Sequence, residues 1–231
     1  MKTYVAILAG GIGARMGSAL PKQFITVGER CIIEYTIDAF DRSEEVDEII
    51  VVVHPDWLEH MEYLISCNRW TKCKRVVPGG KERYESTLNA LKAFPEASDE
   101  DKILLHDAVR PLVSNALIEG TIAALDECEA AGVAVACTDT VWRVVDGIVE
   151  SIPERKSLMR AQTPQGFRFG IIKSAYRKAL EQGEIAATDD CGMVSRYMPE
   201  TRIHIVEGDE RNIKITYPQD LSFLENYLKT I

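Results

Sequence analysis

The sequence predicts an α/β fold, a mostly parallel sheet with helices on both faces and a protruding β-arm. Three observations predict it. Short β-branched and apolar runs alternate with longer helical periodicities from end to end. A glycine-rich loop follows the first run directly, where a βα unit makes its turn. One segment, from about Thr138 to Gln165, carries strand-like alternation and no helical period. No repeat or linker divides the 231 residues, so a single domain with an arm at about 138–165 is expected.

Taken in order, Tyr4 to Ala9 reads as a strand buried on both faces, and Glu48 to Val53, Lys102 to Leu105 and Val133 to Cys137 read likewise. Leu88, Leu91 and Phe94 mark an amphipathic helix ended by Pro95. Ile118, Ile122 and Leu125 mark another behind the capping residue Ser114. In the arm, alternation surrounds a turn at Asp146-Gly147, and Trp142, Val144, Val145, Ile148 and Val149 need a covering surface, so a homodimer through the arm is expected. Asn212 to Thr216 reads as a late strand. Pro218 then opens a helix with Leu221, Leu224 and Leu228 on one face.

Composition excludes several classes. A formal charge of −9 argues against nucleic acid or an anionic membrane as partner, because both need a basic field. An anionic small substrate then needs a locally basic site. No apolar run reaches the roughly 20 residues of a membrane span, and the first residues lead into a strand instead of a signal peptide, so a cytoplasmic protein is expected. The six cysteines contain no C-x-x-C pair, which favours buried free thiols over a metal knuckle.

Candidate chemistry lies after the strands, since ligands of open parallel sheets sit beyond the carboxyl ends. Ala9, Gly10, Gly11 and Gly13 form a backbone cradle suited to phosphate, but the loop is neither a Walker A sequence nor a dinucleotide fingerprint. The Glu48 to Val53 run ends in Val53-His54-Pro55 with no acid at its tip, which counts against a nicotinamide-dependent reductase. Arg15 in the loop and Lys22 after a proline suit a reaction that develops charge on phosphoryl oxygens. Asp107 in His106-Asp107-Ala108-Val109-Arg110-Pro111 is a candidate Mg²⁺ ligand, and Arg110 either holds an anion or braces Asp107. His106 itself reads as structural. Gly79 and Gly80 open a helix with Arg83 and Ser86 in its first turn. Thr188-Asp189-Asp190 resembles a helix N-cap, and Lys214 in an apolar run calls for an anionic partner.

The ordered segments GGIGARMG…PKQF, PGGKERYES, LLHDAVRP, QTPQGF, ATDD and NIKITYPQDL resemble the cytidylyltransferases of sugar-alcohol phosphates. Those act on 2-C-methyl-D-erythritol 4-phosphate or on ribitol 5-phosphate, for isoprenoid precursors or cell-wall teichoic acid. The resemblance spans essentially the whole chain. It implies a Rossmann-like domain with a β-arm, CTP as co-substrate and Mg²⁺ as cofactor. It further implies that Ala9, Gly10, Gly11 and Gly13 cradle the triphosphate and that Arg15 and Lys22 stabilise the transition state. Gly79, Gly80, Arg83 and Ser86 would lie at the cytosine and ribose end, and Asp107 would bind Mg²⁺. Lys214 would lie near the α-phosphate, while Arg110, Thr140, Arg155 and Thr188 would contact the polyol phosphate, with Arg155 reaching from a dimer mate. Leu8-Ala9, Val109 and Ser151-Ile152-Pro153 resemble the ribitol branch, so D-ribitol 5-phosphate is the expected acceptor and the methylerythritol phosphate the alternative. A noncatalytic nucleotide-binding protein is a further alternative. It would need a damaged site, and every motif position is filled.

Overall fold

The computed structural model describes residues 1–11, 20–183, 185 and 187–230. In chain order the elements are β1 (Thr3–Ala9), β2 (Thr26–Val27), β3 (Arg30–Cys31), α1 (Ile32–Arg42), β4 (Glu48–Val53), α2 (Leu58–Cys67), β5 (Cys73–Pro78) and α3 (Arg83–Lys92). There follow β6 (Lys102–Asp107), α4 (Asn115–Glu127), β7 (Ala130–Ala136), β8 (Arg143–Val145), β9 (Ile148–Ser151) and β10 (Met159–Arg168). The chain closes with α5 (Phe169–Gln182), α6 (Asp190–Tyr197), β11 (Ile203–Glu207) and α7 (Pro218–Leu228).

Seven strands make one sheet in the order β11-β7-β10-β6-β1-β4-β5. All neighbours are parallel except β10, which runs antiparallel to both β6 and β7. The pleat sends alternate residues of each central strand to opposite layers. Val5, Ile7 and Ala9 of β1 pack with Ile33, Ile37 and Phe40 of α1 and with α4. Tyr4, Ala6 and Leu8 pack with α3, α5 and α6. Each fully buried Val or Ile on these strands contributes about 1.5–3 kcal/mol, which is why continuous apolar runs hold the middle of the sheet.

Local signals placed several ends correctly. Ser114 caps α4 by accepting from the Leu117 amide, and Pro218 occupies the first turn of α7. Two segments differ from expectation. Asn212 to Thr216 is irregular, not a strand: its backbone is held by scattered bonds in place of a ladder, with Arg110 Nη1 donating to Asn212 O, Lys22 Nζ to Ile215 O and the Ile215 amide to Val109 O. The arm hairpin consists of β8 and β9 around Asp146-Gly147, both at positive φ, while Met159 to Gln165 belong to β10 in the main sheet. Among the described residues no helix is long and apolar enough to cross a membrane.

Candidate active site

Chain order reverses between β1 and β6: β4 leaves to one side of β1, and β6 lies on the other. Such a switch point opens a crevice beyond the strand ends. There lies a cavity of about 380 Å³. Its floor is Ala9 at the end of β1, Gly10 and Gly11 after it and Asp107 at the end of β6; its walls are Gly80, Arg83 and Ser86 on one side and Lys22 and Lys214 on the other.

The glycines are required by contact. A Cβ on Gly80 would fall 2.1 Å from Glu85 Cβ, and one on Gly10 or Gly79 would meet Ser86 Oγ at 2.9 or 3.1 Å. Ser86 Oγ in turn accepts the Gly80 amide at 3.1 Å, so the loop after β5 and the start of α3 close on the loop after β1. Gln23, buried beside Lys22, donates from Nε2 to the carbonyls of Ala9 (2.7 Å) and Gly11 (3.1 Å) and pins the glycine loop to the Lys22 turn.

Asp107 is the electrostatic centre. Lys214 Nζ lies 2.9 Å and Arg110 Nε 3.4 Å from its Oδ2. Burial alone would raise its pKa, but Lys214, then Arg83 and Arg110, overcome that and hold it well below the usual carboxylate range. The anionic partner demanded by Lys214 is therefore Asp107. Behind it, Thr163 sits in the irregular stretch of β10, where the register shifts between Ala161 and Gln165. Thr163 Oγ1 accepts the Asp107 amide at 3.1 Å and donates to His106 Nδ1 at 3.0 Å, the acceptor nitrogen of the neutral ring because Nε2 faces a carbonyl that can only accept. His106 Nε2 then donates to Arg110 O at 3.2 Å, and burial depresses its pKa to about 3 against the pull of Asp107.

The expected residues are not all gathered. Lys22, Lys214, Ala9, Gly10, Gly11, Gly80, Arg83, Ser86 and Asp107 line the cavity, with Gly79 packed against Gly10. Arg15 and Gly13 lie outside the described residues. Arg110 does not line the cavity. It donates from Nε to Asp107 Oδ2 at 3.4 Å and from Nη1 to Asn212 O at 2.7 Å, contacts of the bracing kind. Thr140 and Arg155 meet at 3.2 Å on the exposed arm, and Thr188 is exposed just before α6. Gln23 and Asp190 escaped the sequence reading: glutamine has no charge to flag it, and Asp190 looked like part of a cap.

Comparison with known proteins adds the family. A family model described as 2-C-methyl-D-erythritol 4-phosphate cytidylyltransferase matches residues 3–230. The chain is 46% identical over 230 residues to the 2-C-methyl-D-erythritol 4-phosphate cytidylyltransferase of Thermobifida fusca (strain YX), covering 97% of this chain and 92% of that protein. It is 41% identical over 217 residues to the bifunctional ribulose 5-phosphate reductase/CDP-ribitol pyrophosphorylase Bcs1 of Haemophilus influenzae, covering 93% of this chain and 46% of that protein. The crystal structure of 4-diphosphocytidyl-2C-methyl-D-erythritolsynthase from Anaerococcus prevotii DSM 20548 superposes with a TM-score of 0.85 at 32% identity, covering 99% of this chain and 98% of that one. These matches overturn the expectation of D-ribitol 5-phosphate as acceptor. Leu8, Val109 and residues 151–153 are a handful of local choices, whereas the methylerythritol match extends along both chains.

Proposed function

This chain belongs to the 2-C-methyl-D-erythritol 4-phosphate cytidylyltransferase family and is a nucleotidyltransferase, and we propose that it joins CTP to 2-C-methyl-D-erythritol 4-phosphate, a step toward isoprenoid precursors. One observation carries the reading. Lys22, Arg83 and Lys214 converge on a glycine-floored cavity around Asp107, a local cationic site in a chain of net charge −9.

The acceptor phosphate has a second pKa of about 6 and is mostly a dianion at neutral pH, so no general base is required. One of its oxygens bonds to the CTP α-phosphorus as the bond to the β-phosphate oxygen breaks, and pyrophosphate leaves with that electron pair. Gly10 and Gly11 bring backbone to the triphosphate, and Ser86 with Gly79 and Gly80 shapes the nucleoside end. Lys22 and Lys214 offset charge on the α-phosphoryl oxygens, and Arg15 shares that role by its place in the loop motif.

A divalent cation fits this donor set. Mg²⁺ takes one or two carboxylates, phosphate oxygens and water, and among the described residues the ion pairs of Asp107 with Lys214 and Arg110 both engage Oδ2. Asp107 would hold it, and the cation would neutralise charge across the phosphates. We also read the arm as a homodimer contact that brings Arg155 and Thr140 to a partner's acceptor phosphate. Its support is exposed apolar surface: Trp142 is 60% and Ile148 73% accessible.

The test is Mg²⁺-dependent pyrophosphate release from CTP with 2-C-methyl-D-erythritol 4-phosphate, run beside ribitol 5-phosphate. Turnover with the first at least about tenfold more efficient is expected; equal or preferential use of ribitol 5-phosphate overturns the substrate, and no release with either overturns the activity.

A further inference from the structure

Arg83 is held from behind by a carboxylate outside the cavity lining. Asp190, the first residue of α6, is fully buried. Its Oδ2 accepts from Arg83 Nη2 at 2.6 Å, and its Oδ1 accepts from Tyr176 OH at 2.7 Å and Thr87 Oγ1 at 3.0 Å. Gln165 Oε1 accepts the amides of Asp190 (3.1 Å) and Cys191 (3.0 Å), while Gln165 Nε2 donates to Asp189 Oδ2 at 2.7 Å. The orientation of Asp190 is thus set from both its side chain and its backbone.

A buried ion pair is weak evidence for stability, since desolvation offsets most of the attraction, and apolar residues would fill the space as well. The pair instead has a geometric consequence. Arginine carries five N–H donors in one plane, and anchoring one of them fixes where the others lie. Released, the Arg83 side chain has four rotatable bonds and a second carboxylate, Asp107, in the same cavity to fall upon.

We propose that Asp190 is a positioning residue for nucleotide binding: it holds the Arg83 guanidinium in the α3 wall, off Asp107, and ties that wall to the start of α6. The inference rests on the CTP reading given above, and its test separates the two. Asp190→Asn keeps an acceptor for Tyr176 and Thr87 but loses the charge that anchors Arg83. Calorimetric CTP binding, steady-state constants and thermal melting are measured on the whole protein. The Asp190→Asn substitution should weaken CTP binding and raise the CTP KM by about tenfold, with kcat at saturation changed by less than about threefold.

Arg83→Gln should do the same, and the double variant should be no worse than Arg83→Gln alone. Tyr176→Phe removes a hydrogen bond from the same carboxylate while leaving Arg83 anchored; it should lower the melting temperature and leave the CTP constants alone. A D190N protein that melts earlier but binds CTP as the parent does overturns the proposal, as does an additive double variant. Should D190N not fold, Arg83→Lys carries the test: unchanged CTP affinity overturns the proposal and a loss of about tenfold supports it. A parent protein that binds CTP without turnover would refute the transfer reaction and leave this binding test intact.

Discussion

Lys214 Nζ stands 2.9 Å from Asp107 Oδ2, joining the loop before α7 to the end of β6 across the floor of the cavity. On the proposed reading, in which Lys214 offsets charge at the α-phosphate, Lys214→Met should reduce cytidylyl transfer by about 10²-fold or more, since the cation is lost while the apolar stem is kept. Pyrophosphate release measures it, with circular dichroism as the folding control. A folded variant within about threefold of the parent would remove Lys214 from the machinery.

Glycine substitutions should divide by contact. Gly80→Ala places a methyl 2.1 Å from Glu85 Cβ and must displace the start of α3, so the CTP KM should rise at least about tenfold. Gly120→Ala, in α4, meets only Val206 Cγ1 at 3.6 Å and should stabilise the protein by up to about 1 kcal/mol through helix propensity. Urea titrations and CTP kinetics on both variants check the pair, and a harmless Gly80→Ala would refute the tight-loop reading.

His106 should make stability fall as pH falls. Its folded pKa of about 3 lies below the unfolded value near 6.5, so between those values the unfolded chain binds the extra proton. Stability is fully present above about pH 6.5 and is lost progressively toward pH 3, with a slope of at most about 1.4 kcal/mol per unit. Asp107, also depressed, adds its loss only below its ordinary value of 3.8. Denaturation of the metal-free protein from about pH 4.5 to 6.5 should show this slope, and His106→Gln should flatten it by about one proton. An unchanged slope in that variant would mean that His106 already titrates normally.

The arm gives a mass prediction. Trp142→Asp with Ile148→Asp places charge on two of its exposed apolar positions and should convert a dimer to a monomer by light scattering. If Arg155 serves a partner's site, activity should fall with the mass. A parent protein that is already monomeric would refute the dimer.

The sequence by itself determined the layered frame. Glu48 to Val53 became β4 residue for residue, Ser114 capped α4 and Pro218 opened α7, since burial pattern and capping are local chemistry. The chain's likeness to a cytidylyltransferase was also legible, through six ordered motifs. The arm's turn was legible at Asp146-Gly147, but its end was not, because the alternation of Met159 to Gln165 is the same in a free hairpin as in a central strand.

Only the tertiary structure decided which charges meet. Lys214 and Arg110 both finish on Asp107, Arg83 finishes on Asp190, and in the irregular run Asn212 to Thr216 the carbonyls of Asn212 and Ile215 accept from Arg110 and Lys22. A periodicity reports which face a residue buries, and it carries no record of the partner supplied from the far end of the chain. For buried polar groups that partner is what fixes position, because an unpaired charge in the interior costs more than any local preference returns.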